Sequence, residues 1–447
     1  MQTYRQHFKV NFHLAFPVML SQLGHILVGV ADSMMVGHTG TVPLAAASLG
    51  NVIFHVLLTF GIGISYASTP LIAAADGEGN KKRIFRLLGH SFLINALTGV
   101  LLFLIVLLSG PVLYYLNQPE EVVTLAIPYL FIVTFSLIPL MVFQTFRQFF
   151  EGLSYTRSPM YITLAANLVN VGLNYVFIFG KFGFEPMGLA GAGWASFISR
   201  VIMMLAIVFL FYGNLKFKTY HKALVRWRYS REVIRRLLNI GFPAAVQFIF
   251  EVGAFGMAVI MMGWLGTTAL AAHQIAINLA AITYMMASGL AAAATIRVGN
   301  QLGLKDIPNL RKAAFSIVAM AIIFMSFNAG LFILFRQYLP TLYISDASVL
   351  SLASGLLIVA AMFQISDGIQ VVCLGALRGL EDTKIPTLFV FVSYGMIGLP
   401  VGYLLAFPLK MGAMGIWVGL FLGLTFAAVS LFVRFNQLSR KLKGKKV

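Results

Sequence analysis

The chain reads as an all-α membrane protein: twelve transmembrane helices in two parallel six-helix repeats that form a two-lobed bundle with a central cavity. Three observations predict this. Of its 447 residues, 59% are hydrophobic and 10% charged, where a soluble domain carries roughly a quarter charged residues. The apolar residues fall into twelve runs of the length needed to cross hydrocarbon, about 20 residues each. The first half of the chain also recurs in the second at a spacing of 226 residues.

Taken in order, the runs cover roughly 11–36, 45–74, 87–109, 122–148, 159–180, 189–212, 237–262, 268–296, 312–335, 347–376, 385–408 and 412–435. Helix 1 follows MQTYRQHFKV without a small-residue cleavage site, so it is expected to stay in the protein and not to be removed as a leader. Between helices 6 and 7 lies the one long charged interruption, Gly213 to Arg236, with Lys216, Lys218, Lys222, Arg226, Arg228, Arg231, Arg235 and Arg236 against the single acid Glu232. The predicted division is therefore an N-terminal lobe at 1–212, a basic connector at 213–236, a C-terminal lobe at 237–435 and a basic tail at 436–447. Loops rich in Lys and Arg stay on the cytoplasmic side. If both termini are cytoplasmic, only Lys181, Arg336 and Lys410 of the 32 basic residues fall in outer loops, and Arg200 falls inside helix 6. That asymmetry sets the expected orientation in a bacterial cytoplasmic membrane.

The net charge of +18 is accounted for by this topology and by anionic lipid. The basic residues sit between apolar runs, the placement of membrane topology, which argues against nucleic acid. The lone Cys373 excludes an internal disulfide, and no Cys or His spacing suggests zinc.

The repeat pairs Phe16 and Pro17 with Phe242 and Pro243, and Gly37, Gly40, Thr41, Leu44, Ala45 and Ala46 with Gly263, Gly266, Thr267, Leu270, Ala271 and Ala272. Gly63, Ala67, Thr69 and Gly77 match Gly289, Ala293, Thr295 and Gly303; at a spacing of 227, Gly152, Leu153, Thr156 and Pro159 match Gly379, Leu380, Thr383 and Pro386. Six helices per copy make the halves parallel repeats about an axis along the membrane normal, an arrangement suited to rocking between inward-open and outward-open states.

Residues that build a lobe are expected in both copies. The deep acids are not: Asp32, Glu251 and Asp367 have the repeat partners Ala258, His25 and Leu140. An ionised residue at a helix centre costs about 2.5 to 3.5 kcal/mol on insertion scales, so such residues mark ion or substrate pathways. Gln247 precedes Glu251 by one turn, Gln364 and Gln370 flank Asp367, and Gln274 precedes Asn278 by one turn; these are expected to line one pocket. Asn167, Asn170 and Asn174 share a face of helix 5 and are placed around Asp32. Amide oxygens with a carboxylate suit a hard monovalent cation such as Na+, so Asp32, Glu251 and Asp367 are candidate Na+ ligands; each amide taken alone fits an interhelical hydrogen bond equally well. His25 reads as a packing residue, Tyr284 as an aromatic facing a cationic cargo, and Pro17 as a bend point in helix 1. Arg200 either pairs with Asp32 or faces water.

The chain resembles the multidrug and toxic compound extrusion (MATE) family, and its NorM branch more than its DinF branch. The residues that carry the resemblance are FEVGAF around Glu251, GTTALAAHQIAIN from Gly266 to Asn278, TIRVGNQLG from Thr295 to Gly303, SDGIQVVCLGALRGLEDTKIP from Ser366 to Pro386, and NLVNVGLNYVFIFG from Asn167 to Gly180. The resemblance implies a two-lobed exporter of organic cations driven by inward Na+ or H+. It matches the family's acidic positions to Asp32, Glu251 and Asp367 and its helix 5 polar pair to Asn170 and Asn174. Some proton-coupled members have an aspartate where Asn174 stands.

The expected function is thus antiport of small organic cations against Na+ or H+, by a monomer that needs membrane lipid and no other cofactor. Asp32, Asn170, Asn174, Glu251 and Asp367 are expected at the coupling ion, and Gln247, Gln274, Asn278, Tyr284 and Gln364 at the cargo. A flippase for a lipid-linked or amphipathic substrate is the alternative, but it needs cations in the cavity, and a channel would conduct instead of exchanging. No intramembrane HExxH or nucleophile motif suggests an enzyme.

Overall fold

The computed structural model describes residues 3–116, 119–225 and 228–444; Arg226 of the connector and Lys445 and Lys446 of the tail lie outside the described residues. Twelve helices are long and apolar enough to cross a membrane: Tyr4–Gly37, Thr41–Gly77, Lys81–Ser109, Glu120–Gly152, Arg157–Phe179, Gly188–Gly213, Arg231–Leu265, Thr267–Gly303, Ile307–Leu334, Ala347–Gly379, Lys384–Ala406 and Ala413–Leu442. They are called helix 1 to helix 12 below. Each coincides with one of the apolar runs. Most extend a few residues further, because the helical hydrogen-bond pattern continues into the polar ends.

Proline decides where three of these helices are interrupted. It has no N–H to donate to the carbonyl four residues back. Pro70 offers no N–H to the Tyr66 carbonyl four residues back, and helix 2 turns between Ser65 and Ser68. Pro139 does the same for Phe135, and helix 4 divides at Ser136. In helix 11, Pro400 follows a π-helical segment over Val392–Gly398, the wider winding that takes up a local mismatch in the ladder. Pro17 and Pro243 lie within uninterrupted helices 1 and 7.

The chain forms two compact units, one of Met1–Gln22 with Val246–Val447 and the other of Leu23–Ala245. They part inside helices 1 and 7, whereas the lobes expected from the sequence part at the connector. Packing supplies the reason. In the unit of Leu23–Ala245, a Cβ on Gly63 would lie 2.4 Å from the Ala245 backbone, and in the other unit a Cβ on Gly289 would lie 2.4 Å from the Met19 side chain and 2.7 Å from its backbone nitrogen. Both members of each contact are repeat partners of the other pair, at the spacing of 226. The start of helix 7 is therefore pressed against helix 2, and the start of helix 1 against helix 8.

Other shared residues also build the same contacts twice. Thr69 Oγ1 donates to the Gln148 carbonyl at 3.3 Å, and Thr295 Oγ1 to the Gly375 carbonyl at 2.8 Å. Gly152 lies against Ile72 and Gly379 against Val298. Gly40 and Gly266 both precede the second helix of their repeat with positive φ, 134° and 110°, a conformation that favours glycine.

In the unit of Met1–Gln22 with Val246–Val447, small residues bring helices 8 and 10 together: a Cβ on Gly375 would lie 2.2 Å from the Ala291 carbonyl oxygen. Trp417 of helix 12 is fully buried and donates from Nε1 to His273 Nδ1 at 3.1 Å. The unit of Leu23–Ala245 has an aromatic core of Phe146, Phe149, Phe150 and Phe211. The connector is not simply a solvated tether. It winds into a 3-10 helix over Leu215–Leu224 and buries Phe217 4.9 Å from Phe150 and Tyr220 5.5 Å from Phe149, centroid to centroid.

Two predictions follow from these contacts. Gly63→Leu and Gly289→Leu each place a side chain where backbone stands, and each is expected to cost at least about 1–3 kcal/mol by overpacking. Gly172→Ala, in a helix with open space around it, should be neutral or slightly stabilising. Melting temperatures in detergent check the contrast. Phe217→Ala should lower stability by about 3–5 kcal/mol, the usual loss for a buried phenylalanine, and proteolysis at the connector should accelerate in parallel.

Candidate coupling-ion and cargo sites

Helix 5 presents Asn167, Asn170 and Asn174 on one face because three and four residues bring side chains into line. In the unit of Leu23–Ala245 this face meets helix 1. Asn174 Nδ2 donates to the Asp32 carboxylate and, at 3.2 Å, to Asn170 Oδ1. Asn170 Nδ2 in turn lies 3.4 Å from the hydroxyls of both Ser196 and Ser199 on helix 6. Asp32 is thus the end of a polar chain that crosses three helices, with Asn170 and Asn174 buried and Asp32 half-buried. Asn167 is one turn further away; its Nδ2 lies 2.7 Å from where a Cβ of Gly24 would be, and it approaches helix 1 without reaching Asp32.

Arg200 resolves in favour of neither expected position. Its guanidinium donates to Ser136 Oγ and to the Val133 carbonyl at 3.4 Å, and stacks 4.7 Å from the Phe54 ring centre. It bonds the carbonyl end exposed by the break in helix 4, while its charge still acts on Asp32 from a distance. His25 differs from the expected packing residue: its side chain is exposed. Tyr129 donates to Asn51 Oδ1 at 2.9 Å.

The second cluster lies within the unit of Met1–Gln22 with Val246–Val447. Glu251 on helix 7 and Asp367 on helix 10 are both buried, 6% and 4% exposed, and near enough for their charges to interact. Glu251 Oε1 accepts from Gln370 Nε2 at 3.0 Å and from Gln247 Nε2 at 3.4 Å, and the Tyr284 side chain of helix 8 is a further hydrogen-bond partner. Tyr394, carried by the π-helical segment, donates to Gln370 Oε1 at 3.3 Å.

The expected single pocket is divided. Gln247, Glu251, Asp367, Gln370 and Tyr284 come together. Gln364 instead donates to Thr283 Oγ1 at 2.8 Å. Gln274 and Asn278 pair with one another at 3.1 Å on an exposed face of helix 8. Tyr284 faces the Glu251 cluster, away from that pair: six residues is more than one and a half turns of helix. The amides also present N–H groups, not oxygens, to both Asp32 and Glu251, since a buried carboxylate is satisfied by donors. The residues that sequence reasoning missed are Ser196, Ser199, Thr283 and Tyr394. The first two stand at helical spacing next to Arg200, a signal open to inspection. Tyr394 gave none, since it comes within reach of Gln370 only through the winding of helix 11. Among the described residues, no group of three His, Cys, Asp or Glu side chains is placed to hold a metal.

The MatE family model matches residues 17–176 and 243–404, one segment in each repeat. The chain belongs to the MatE family. It is 34% identical over 445 residues to the probable multidrug resistance protein NorM of Rhizobium meliloti (strain 1021), covering 98% of this chain and 95% of that one. It is 32% identical over 449 residues to the multidrug resistance protein MdtK of Yersinia pseudotuberculosis serotype O:1b (strain IP 31758), covering 99% and 98%. Among solved structures, a MATE protein in complex with MaD3S superposes with a TM-score of 0.91 at 19% identity, covering 98% of this chain and 97% of that one. An outward-facing MATE family transporter of the MOP superfamily gives 0.90 at 20% identity, with the same coverage. This member of the MatE family is therefore an integral membrane protein with twelve membrane-crossing helices.

Hydrogen bonds in the Glu251 network, Gln370 to Glu251 and Tyr394 to Gln370, are ordered by what each removal leaves behind. Gln370→Leu strips a donor from a buried carboxylate and should lower stability by about 1–3 kcal/mol, whereas Tyr394→Phe leaves a neutral amide oxygen and should cost about 1 kcal/mol or less. Melting temperatures of the two purified variants, set against wild type, check this order.

Proposed function

We propose that this protein is a secondary active antiporter that exports organic, mostly cationic compounds in exchange for inward Na+ or H+ by alternating access. We place it as a monomer in a bacterial cytoplasmic membrane, with both termini on the cytoplasmic side. The observation that carries the reading is the pair of acidic clusters, one in each unit, built on acids unshared between the repeats: Asp32 held by Asn174, and Glu251 held by Gln370, Gln247 and Tyr284 with Asp367 buried close by. The names of the NorM and MdtK relatives support multidrug export, and the loop charges support the orientation.

The physics is competition for negative charge. An ionised carboxylate in low-dielectric surroundings attracts a lipophilic cation, and loses that attraction when a proton or Na+ takes up the charge. Asp32, with Asn170 and Asn174, serves as one coupling-ion site; Glu251 and Asp367 form the second. Asn and Gln carry a donor and an acceptor on one terminal group, so a half-turn of the amide exchanges the N–H that meets a bare carboxylate for an oxygen that ligates Na+. Gln247 and Tyr284 are assigned to cargo beside Glu251, Gln364 to cargo where it meets Thr283, and Gln274 with Asn278 to cargo at the exposed face of helix 8. No other cofactor is needed.

The test is transport of ethidium or norfloxacin in proteoliposomes under an imposed Na+ gradient and, separately, an imposed pH gradient. Wild type should export under at least one of them. Asp32→Asn, Glu251→Gln and Asp367→Asn, which keep shape and remove charge, should each slow export by about tenfold or more, equivalent to 1.4 kcal/mol. Full export by Asp32→Asn would remove the first cluster from the mechanism, and full export by both other variants the second. Failure of wild type to move either compound under either gradient would turn the assignment toward a flippase.

A further inference from the structure

Away from both carboxylate clusters, the unit of Leu23–Ala245 contains a cleft of about 520 Å³ at the end of helix 3, lined by Lys81, Lys82, Phe85, Arg86, Thr219, Arg228, Tyr229 and Ser230. Two segments far apart in sequence build it. Lys81, Lys82 and Arg86 come from the first turns of helix 3, which starts after the N-cap Asn80; Arg228 comes from the connector. The walls are fastened to one another. The Ser230 backbone N–H donates to His90 Nε2 at 2.9 Å, while His90 Nδ1 donates to the Arg86 carbonyl at 2.7 Å. No acid lines the cleft: Glu78, just before helix 3, is paired with Arg83.

We infer that this cleft binds the phosphate headgroup of an anionic glycerophospholipid. Four cations converge on a volume within the range of small-molecule sites, roughly 300–1,000 Å³, and arginine and lysine together suit phosphate oxygens, one as a planar fork and one as a point charge. Thr219, Tyr229 and Ser230 add hydroxyls. A lipid is favoured over a soluble phosphate by what surrounds the cations. The cleft lies where helices 3 and 7 begin, at the boundary of the membrane-crossing segments, and the connector beside it holds Leu215, Val225 and Tyr229 outward with 81%, 82% and 69% exposure. Basic residues beside outward apolar side chains are the composition of a segment resting at the headgroup and acyl-chain border. Phe85, in the cleft wall, offers an apolar contact to the glycerol end of such a lipid. A lipid held there ties the connector to helix 3. The inference uses only the fold and its membrane setting, so it stands or falls separately from the antiport assignment.

The experiment uses the full chain, purified and delipidated in a neutral detergent. Melting temperature and native mass are recorded with phosphatidylglycerol, with phosphatidylcholine of the same chains, and with soluble glycerol 3-phosphate. Ligand that binds only the folded protein raises its stability with concentration. The expected result is a rise of several degrees and a retained adduct with phosphatidylglycerol alone. Lys82→Gln/Arg86→Gln/Arg228→Gln should lose both, while Lys9→Gln/Arg440→Gln/Lys441→Gln, with the same change of charge elsewhere, should keep them. Should the first variant fold poorly, Thr219→Asp, which sets a carboxylate in the intact wall, should show the same loss. Equal shifts in the two triple variants would overturn the site in favour of diffuse attraction. A shift reproduced by glycerol 3-phosphate would overturn the lipid as its ligand.

Discussion

Within hydrocarbon, a backbone N–H or carbonyl has no water to turn to, so each must be satisfied inside the protein. The architecture follows from that constraint and from its local failures. Twelve helices satisfy it along most of the chain. Where Pro139 breaks the ladder in helix 4, Arg200 supplies a donor to the Val133 carbonyl, and Ser136 folds its hydroxyl back to the same carbonyl at 2.5 Å. A cation that looked functional by its depth in helix 6 has a structural task at a helix break. Where Pro400 disturbs helix 11, the chain widens into a π segment, and that segment delivers Tyr394 to the Glu251 network. Breaks in secondary structure are thus where side chains from other helices are recruited.

The repeat separates two kinds of residue. Those present in both copies make the same contact in both units: Gly63 on Ala245 and Gly289 on Met19, Thr69 on the Gln148 carbonyl and Thr295 on that of Gly375. Side-chain association in a membrane depends on close approach of small residues and on interhelical hydrogen bonds, since lipid is as apolar as leucine. Such contacts tolerate little variation, which accounts for their survival in both halves. The acids are free of that demand. Asp32 and Glu251 occupy different helical depths in their units and draw on different partners, an asparagine chain in one and a glutamine pair in the other.

The unshared acids are also where burial is most costly, and the structure meets that cost with neutral donors in preference to cations. Asp32 takes Asn174 and not Arg200; Glu251 takes Gln370 and Gln247. A direct ion pair would neutralise the carboxylate permanently. Amide donors stabilise the anion by less and leave it able to exchange one partner for another, the property the proposed antiport cycle requires. The strong basic charge of the chain is kept elsewhere, in the connector and helix ends, where Phe217 and Tyr220 dock one end of the connector and Arg228 faces helix 3.

Much of this was legible in the sequence, for definite reasons. Hydrocarbon thickness sets helix length, so apolar runs located all twelve helices, and period-3.6 spacing put Asn170 and Asn174 beside each other and Gln247 beside Glu251. The repeat spacing identified the glycines and threonines of the interfaces before any contact was known. What lay out of reach depends on which helix faces which. That Asn174 meets Asp32, that Gln364 turns to Thr283, that Tyr394 reaches Gln370 and that Arg200 bonds a helix break are all contacts between segments 64 or more residues apart, or across an irregular winding, and no local pattern encodes them. Sequence by itself determined the class of fold, the number of crossings, the doubled architecture and the identity of the deep acids, because those depend on composition and periodicity along one dimension. Tertiary structure alone decided the exchange of half-helices between the units, the partners of each acid and the basic cleft, because packing in three dimensions selects among pairings that are equally compatible with the same helical faces.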